Sequence, residues 1–382
     1  MSTVRLFDDN SYLTEFTATV TSCRPWENGF AVTLDRTAFC PEGGGQKGDS
    51  GILGDATVIH TVEDDDILHL TDRRLVVGQT IKGRIDWDRR WYRMQHHSGE
   101  HVLSGLVTAQ YGFHNVGFHL GDELVTIDYD GVLSREQLDA LECEANAVIC
   151  QNRAITASYP SPEELSTLPY RSKKEIDGAL RIVVVEGIDI CACCAPHVGH
   201  TGEIGILKIT DMKHYKGGVR LQMVCGNTAV RDYQQKQALT SHITTALSTV
   251  QEKGIAAFDA HIAAVDAATY ENDRLLLAVA EELSAAYAAA ETTCVVVSAL
   301  TGDAARHLAR SVAERTHRTC VVLNAVDSGY RYTMYCEHDN FTELVKAANA
   351  ALQGKGGGRP PFASGAYQST LGDIRRWFIE NS

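Results

Sequence analysis

Two short segments about 90 residues apart constrain this chain more than any other feature. The first, Gln95-His-His-Ser-Gly-Glu-His101, lies where Trp87, Trp91, Met94, Ser98, Val102 and Leu106 recur near a 3.6-residue period, with Asp86 or Asp88 placed to cap a helix. On that helix His97 and His101 stand one turn apart, so both imidazoles can reach a single cation. Alone, such a pair is more often structural than metal-binding, and His96 with Glu100 offers a shifted pairing. The second segment, Ile190-Cys-Ala-Cys-Cys-Ala-Pro-His-Val198, raises the weight of the first, because Cys193 and His197 have the spacing of a loop-borne ligand pair. Three imidazoles and one thiolate make a borderline-soft tetrahedral set that suits Zn²⁺.

Composition narrows the class. The chain has 382 residues, 44% apolar and 22% charged, with 32 glycines and 8 prolines, which is enough for two or three soluble globular cores. Its formal charge of −14 argues against unselective binding to nucleic acid or to acidic membranes, while leaving room for a local basic site. The amino terminus has no export or organelle-targeting pattern, and the apolar runs fall far short of a membrane span, so a cytoplasmic chain without a membrane partner is expected. Eleven cysteines include the cluster Cys191, Cys193 and Cys194, which in a reducing compartment points to metal or reactivity before disulfide. Cys191 and Cys194 also form a CxxC, readable as a redox pair or a rudimentary zinc knuckle.

Along the chain the pattern is multidomain α+β. Residues 1–85 read as a β-barrel-like domain, with β-branched runs such as Glu15–Ser22, Phe30–Leu34 and Thr57–His60 around a glycine-dense loop, Pro41–Gly51. Residues 86–226 read as an α+β domain carrying the metal ligands, and 227–291 as a proline-free helical hairpin broken near Gly254. Residues 292–382 read as a small α/β domain that opens on the strand Cys294–Ser298 and contains a second glycine loop, Gly354–Pro360.

These motifs together resemble the AlaX-type alanyl-tRNA editing proteins in their long form, freestanding relatives of the editing module of alanyl-tRNA synthetase. Thr37-Ala-Phe-Cys-Pro-Glu-Gly-Gly-Gly-Gln-Lys-Gly-Asp49 is similar to that family's signature, with Cys40 where tyrosine is common. His97-Ser-Gly-Glu-His101 and Cys193-Cys-Ala-Pro-His197 match its HxxxH and CxxxH, although Cys194-Ala195-Pro196 stands where Gly-Gly-Thr is common, a departure that could alter the shape of the pocket. The tail loop Gly354-Lys-Gly-Gly-Gly-Arg-Pro360 resembles that of the DHHA1 domain, so 292–382 is expected to be DHHA1-like. With no aminoacylation domain expected ahead of residue 1, the resemblance implies a chain that edits without charging.

The resemblance implies hydrolysis of the ester joining a wrong amino acid, serine and in some members glycine, to tRNA for alanine. Zinc held by His97, His101, Cys193 and His197 would polarise the ester or bind the attacking water, yet four protein ligands close a tetrahedral ion. An expanded coordination shell, a displaced ligand, or a zinc that only organises the pocket all remain open. Gln46 and Glu100 are candidate catalytic groups, each with a plain alternative as a turn residue or a solvated helix-face charge. Gly43, Gly44 and Gly45 permit close approach of a ligand, and His119 is either a core histidine or a substrate contact. For RNA, Arg89 and Arg93 sit among Trp87 and Trp91, Lys216 belongs to a second basic group, and Lys355, Gly356, Gly357, Gly358 and Arg359 form a backbone cradle in the tail. A homodimer is expected through the hairpin and tail. Two other classes compete: a His-x-x-Glu-His peptidase, with Glu100 as base and Glu175 or Glu186 as third ligand, and a non-catalytic tRNA-binding protein with structural zinc.

Overall fold

The computed structural model describes residues 3–122, 124–172, 180–289 and 295–381. It is a multidomain α+β fold that divides into two compact units, Met1–Leu239 and Thr240–Ser382. In the first unit six antiparallel strands close a barrel, in the order Glu15–Trp26, Gly29–Leu34, Ile67–Thr71, Ala56–Glu63, Gly51–Leu53 and Thr80–Ile85. Alternation fills it: Phe16, Ala18 and Val20 of the first strand and Ile81 and Ile85 of the last point inward. Gly83 faces inward between those two isoleucines, and a Cβ there would lie 2.4 Å from the Phe16 ring, so the missing side chain is what admits the phenyl group.

Next to the barrel runs the long helix Trp87–Tyr111, which carries the histidine pair. Asp86 caps it by accepting from the Arg89 N–H at 3.3 Å, and Gly112, at φ 68°, ends it by donating to the Thr108 carbonyl. The helix is covered on one side by the sheet Leu207–Tyr215, Gly218–Cys225, Val125–Tyr129, Asn115–Leu120. A three-stranded sheet, Ile155–Ser158, Ile182–Val185 and Asp189–Ala192, lies on another, with the helix Arg135–Cys150 packed against both the long helix and the first sheet. Barrel and helix are welded by buried charge: Arg90 donates to Asp49 (3.1 and 3.3 Å from Nε) and to the Ala38 carbonyl, while Arg93 donates to the Gly48 carbonyl. Residues 1–85 and 86–226 both lie within the first compact unit.

In the second unit the helix Gly254–Ala289 packs Ala280 and Ser284 against the helix Gly302–Thr316. The five-stranded sheet runs Val295–Val297, Cys320–Val326, Gly329–Tyr335, Phe362–Tyr367, Lys355–Arg359. Its first two strands are parallel, joined through Gly302–Thr316, and Cys294 of the expected first strand lies outside the described residues. The helical stretch from Gly226 is interrupted over 247–253, just before the expected Gly254. Among the described residues no helix is long and apolar enough to cross a membrane.

Thr37 of the glycine-loop signature is buried inside the barrel. Its hydroxyl accepts the Phe39 N–H at 3.0 Å and lies 2.8 Å from Nε2 of His69, whose Nδ1 lies 3.0 Å from the Val32 carbonyl. That pattern holds His69 neutral, and burial, only partly countered by the Val32 carbonyl and the Asp66 charge, lowers its pKa to about 4. Unfolding exposes a histidine that protonates near pH 6.5, so His69 favours the fold above that value and its contribution is lost as pH falls toward 4. The His69→Gln variant is therefore expected to lose about 2 kcal/mol less stability than the parent between pH 7 and pH 5, read from urea midpoints by tryptophan emission.

Candidate metal centre

The four ligands predicted from the two segments come together. One ligand atom from each of His97, His101, Cys193 and His197 lies within 4.8 Å of the other three, with all three histidines buried. Cys193 Sγ is 3.6 Å from His97 Nε2 and 3.3 Å from His197 Nε2. A tetrahedral zinc with bonds of about 2.3 Å to sulfur and about 2.05 Å to nitrogen would set S and N roughly 3.6 Å apart, so the donor set and its spacing fit that ion.

What keeps the Nε2 atoms turned inward is that every Nδ1 is already engaged. His97 Nδ1 donates to Gln46 Oε1 at 3.0 Å, His101 Nδ1 to Asp189 Oδ2 at 2.8 Å, and His197 Nδ1 lies 3.0 Å from the Ser98 hydroxyl. Engaging one ring nitrogen decides the tautomer and leaves the other lone pair free for a cation. Electrostatics favour the ligating form of the cysteine. Burial works against a thiolate at Cys193, but the charges of His97 and His197 and hydrogen bonds from His101 and His197 bring its pKa well below the ordinary thiol value. For His101, burial alone would lower the pKa; the Asp189 hydrogen bond, followed by Cys193 and Glu100, raises it to about 9.

The glycine loop forms one wall. Gly44 and Gly45 have φ of 61° and 84°, the left-handed region, and the Gly45 carbonyl accepts from the Leu120 N–H at 2.8 Å. A Cβ on Gly45 would stand 2.2 Å from the Phe118 carbonyl, and one on Gly43 would touch Cys194 Sγ at 3.4 Å. Gln46, which follows the turn, is 3% exposed and its amide oxygen lies 3.0 Å from His97 Nδ1, so it is no surface turn residue.

Glu100 is buried rather than solvated. It accepts from the Ser104 hydroxyl at 2.6 Å and from the Asn115 amide, and it lies 3.7 Å from Arg171 and 3.9 Å from His101. A carboxylate held this way is poorly placed to act as the base the His-x-x-Glu-His reading requires. Of the third ligands that reading names, Glu186 is exposed and accepts from the Ala154 N–H, while Glu175 lies outside the described residues.

The expected RNA contacts divide. Arg89 is exposed at the start of the long helix, and Lys216 is exposed in the turn after Leu207–Tyr215. Arg93 is not available for phosphate: it is 2% exposed and paired with Asp49 and Asp122 at 3.6 Å each. His119 is neither a core histidine nor a ligand to the cluster, standing exposed on Asn115–Leu120 opposite Thr126. In the tail, Lys355 to Arg359 are exposed as expected but form an edge strand paired with Phe362–Tyr367 in place of a loop. The residues that sequence reasoning passed over are Asp189, Ser98 and Arg171, the partners behind the ligands.

The sequence family described as the second additional domain of threonyl- and alanyl-tRNA synthetases matches residues 180–222, the stretch that holds Cys193 and His197. Alanyl-tRNA editing protein AlaX-L of Pyrococcus horikoshii is 30% identical over 60% of this chain and 61% of its own length. By sequence, this chain is similar to the AlaX-type alanyl-tRNA editing proteins. Alanyl-tRNA editing protein Aarsd1 of Danio rerio is 29% identical over 65% of each chain, and alanine–tRNA ligase of Ignicoccus hospitalis is 34% identical over 68% of this chain but 30% of its own length. The chain thus spans less than two thirds of the relatives it matches.

Two variants test the construction of the centre. Cys193→Ala is expected to lower bound zinc from about one ion per chain to a small fraction, measured by metal analysis of protein purified without chelator. Gly45→Ala must move the loop off the Phe118 carbonyl and draw Gln46 from His97, so at least about 2 kcal/mol of stability and tenfold of zinc affinity should go together, by urea titration and chelator competition.

Proposed function

We propose that the chain is a trans-editing aminoacyl-tRNA deacylase, hydrolysing the ester that joins serine, with glycine as a second substrate, to tRNA for alanine. The observation that carries this reading is the convergence of His97, His101, Cys193 and His197 beside a glycine turn tied to His97 through Gln46, in a chain whose relatives are named alanyl-tRNA editing proteins. Zinc bound there would supply Lewis acidity toward the ester carbonyl or toward water. The chain's own residues fix the ligands and shape the entry: Gln46, Ser98 and Asp189 hold the imidazole orientations, Phe118 packs against His97 with ring centroids 4.9 Å apart, and Gly43 and Cys194 meet at the loop edge. The reaction consumes one water, releases the free amino acid and returns the terminal ribose hydroxyl.

Exposed cations support tRNA as the partner: Arg89 in the first turn of the long helix, Lys216 in its turn, and Lys355 and Arg359 on the edge strand of a tail read as DHHA1-like. On the helix Gly254–Ala289, Ile255, Phe258, Ile262 and Val265 are exposed at three- and four-residue spacing, one apolar stripe that supports a homodimer. The cytoplasm, where charged tRNA is, is the compartment we assign.

Incubating the zinc-loaded chain with Ser-tRNA, Gly-tRNA and Ala-tRNA for alanine tests the reading. Release of serine and glycine at rates at least tenfold above that of alanine is the expected result, falling a hundredfold or more in Cys193→Ala. Binding of tRNA without turnover would favour a non-catalytic protein with structural zinc, and peptide cleavage abolished by Glu100→Gln would favour the peptidase.

A further inference from the structure

The three imidazoles of the cluster are not oriented by equal partners. His97 faces an amide oxygen and His197 a hydroxyl, both neutral, whereas His101 faces the carboxylate of Asp189. That carboxylate is itself held on both oxygens: Arg171 Nε donates to Oδ1 at 2.7 Å and Nη2 to Oδ2 at 2.8 Å, a bidentate pair with Asp189 7% exposed.

The backbone around this pair is built to hold it. Arg171 forms a parallel bridge with Cys191, its N–H donating to the Ile190 carbonyl at 2.9 Å and its carbonyl accepting from Ala192 at 3.0 Å. The guanidinium is thereby anchored to the strand Asp189–Ala192, which runs straight into the loop of Cys193 and His197. On the opposite side, Gly105 lets that strand approach the long helix: a Cβ at Gly105 would lie 2.6 Å from the Ile188 carbonyl and 3.0 Å from the Asp189 side chain. Asp189 reaches His101, one turn before Gly105, because of that gap.

We propose that Asp189, clamped by Arg171, is a positioning residue that fixes His101 with Nε2 toward Cys193 and His197 and strengthens it as a ligand. An anionic acceptor on Nδ1–H makes an imidazole a better donor at Nε2 than a neutral one does, and loss of such a partner typically weakens a metal site by about 10- to 100-fold. The inference rests on reading the cluster as a metal centre, and it is independent of which ester is hydrolysed.

The test is titration of the metal-free, reduced full chain with Co²⁺, following the d–d bands and the thiolate-to-cobalt charge transfer, with deacylation measured in parallel. Asp189→Ala is expected to bind Co²⁺ about 10- to 100-fold more weakly with a changed d–d envelope, and Asp189→Asn, which keeps one acceptor oxygen, to recover part of both. Arg171→Lys, losing the two-pronged clamp, should weaken binding by a smaller factor, and it carries the test with Asp189→Asn if Asp189→Ala fails to fold by circular dichroism. Parental affinity and spectrum in both Asp189 variants would overturn the inference while leaving the metal centre intact. Failure of the parent itself to bind Co²⁺ would overturn it together with the metal reading. Weakened Co²⁺ binding in a chain that hydrolyses no aminoacyl-tRNA would uphold it and remove the deacylase reading instead.

Discussion

The structure depends on how three buried imidazoles are prevented from turning. A histidine ring can flip between two orientations and two tautomers, and a cluster of three has many arrangements, only one of which points every Nε2 at a common centre. Gln46, Asp189 and Ser98 select that one, each from a different element: the glycine turn, the strand leading to the ligand loop, and the long helix itself. A free pair at i, i+4 on a helix would be a surface feature; here the glycine turn and the strand Asp189–Ala192 each give the pair one orienting atom, while Ser98 on the helix orients His197.

The same logic explains the junction between barrel and helix. Asp49 is 2% exposed and would be costly to bury as a lone charge, but Arg90, buried with it, donates to it and also to the Ser11 and Ala38 carbonyls. Asp49 accepts from the Cys40 N–H at 2.7 Å as well, which ties down the start of the glycine loop. Because the loop is fixed to the helix by charge at Asp49 and through Gln46 at its middle, its turn is delivered to the ligands with little freedom. Gly48 fits the same crowding, since a Cβ there would overlap the Thr61 carbonyl at 1.8 Å.

Much of this was legible in the sequence wherever the signal is local. The i, i+4 spacing of His97 with His101 and of Cys193 with His197 survives without knowledge of the fold, and so do the alternating strands of the barrel and the capped helix after Asp86. What stayed hidden was long-range: Asp189 lies 88 residues from His101, and nothing in either neighbourhood announces the other. Arg93 between aromatic residues looks like an RNA contact, because a sequence does not reveal that Asp49 lies across from it. The run Lys355–Arg359 has no β-propensity, yet it pairs as a strand; Gly358 approaches its partner so closely that a Cβ would lie 2.1 Å from the Phe362 carbonyl, so the glycines are the condition of the pairing.

The proposed centre has one cation shared by two segments far apart in the chain, with a single sulfur among its ligands. X-ray absorption at the zinc edge of the loaded chain addresses it directly. One Zn–S distance near about 2.3 Å and three Zn–N distances near about 2.0–2.1 Å, with imidazole multiple scattering, is the predicted shell, allowing one added light atom from water. Two sulfurs, as a CxxC knuckle of Cys191 and Cys194 would give, or a shell with no sulfur, would contradict the account.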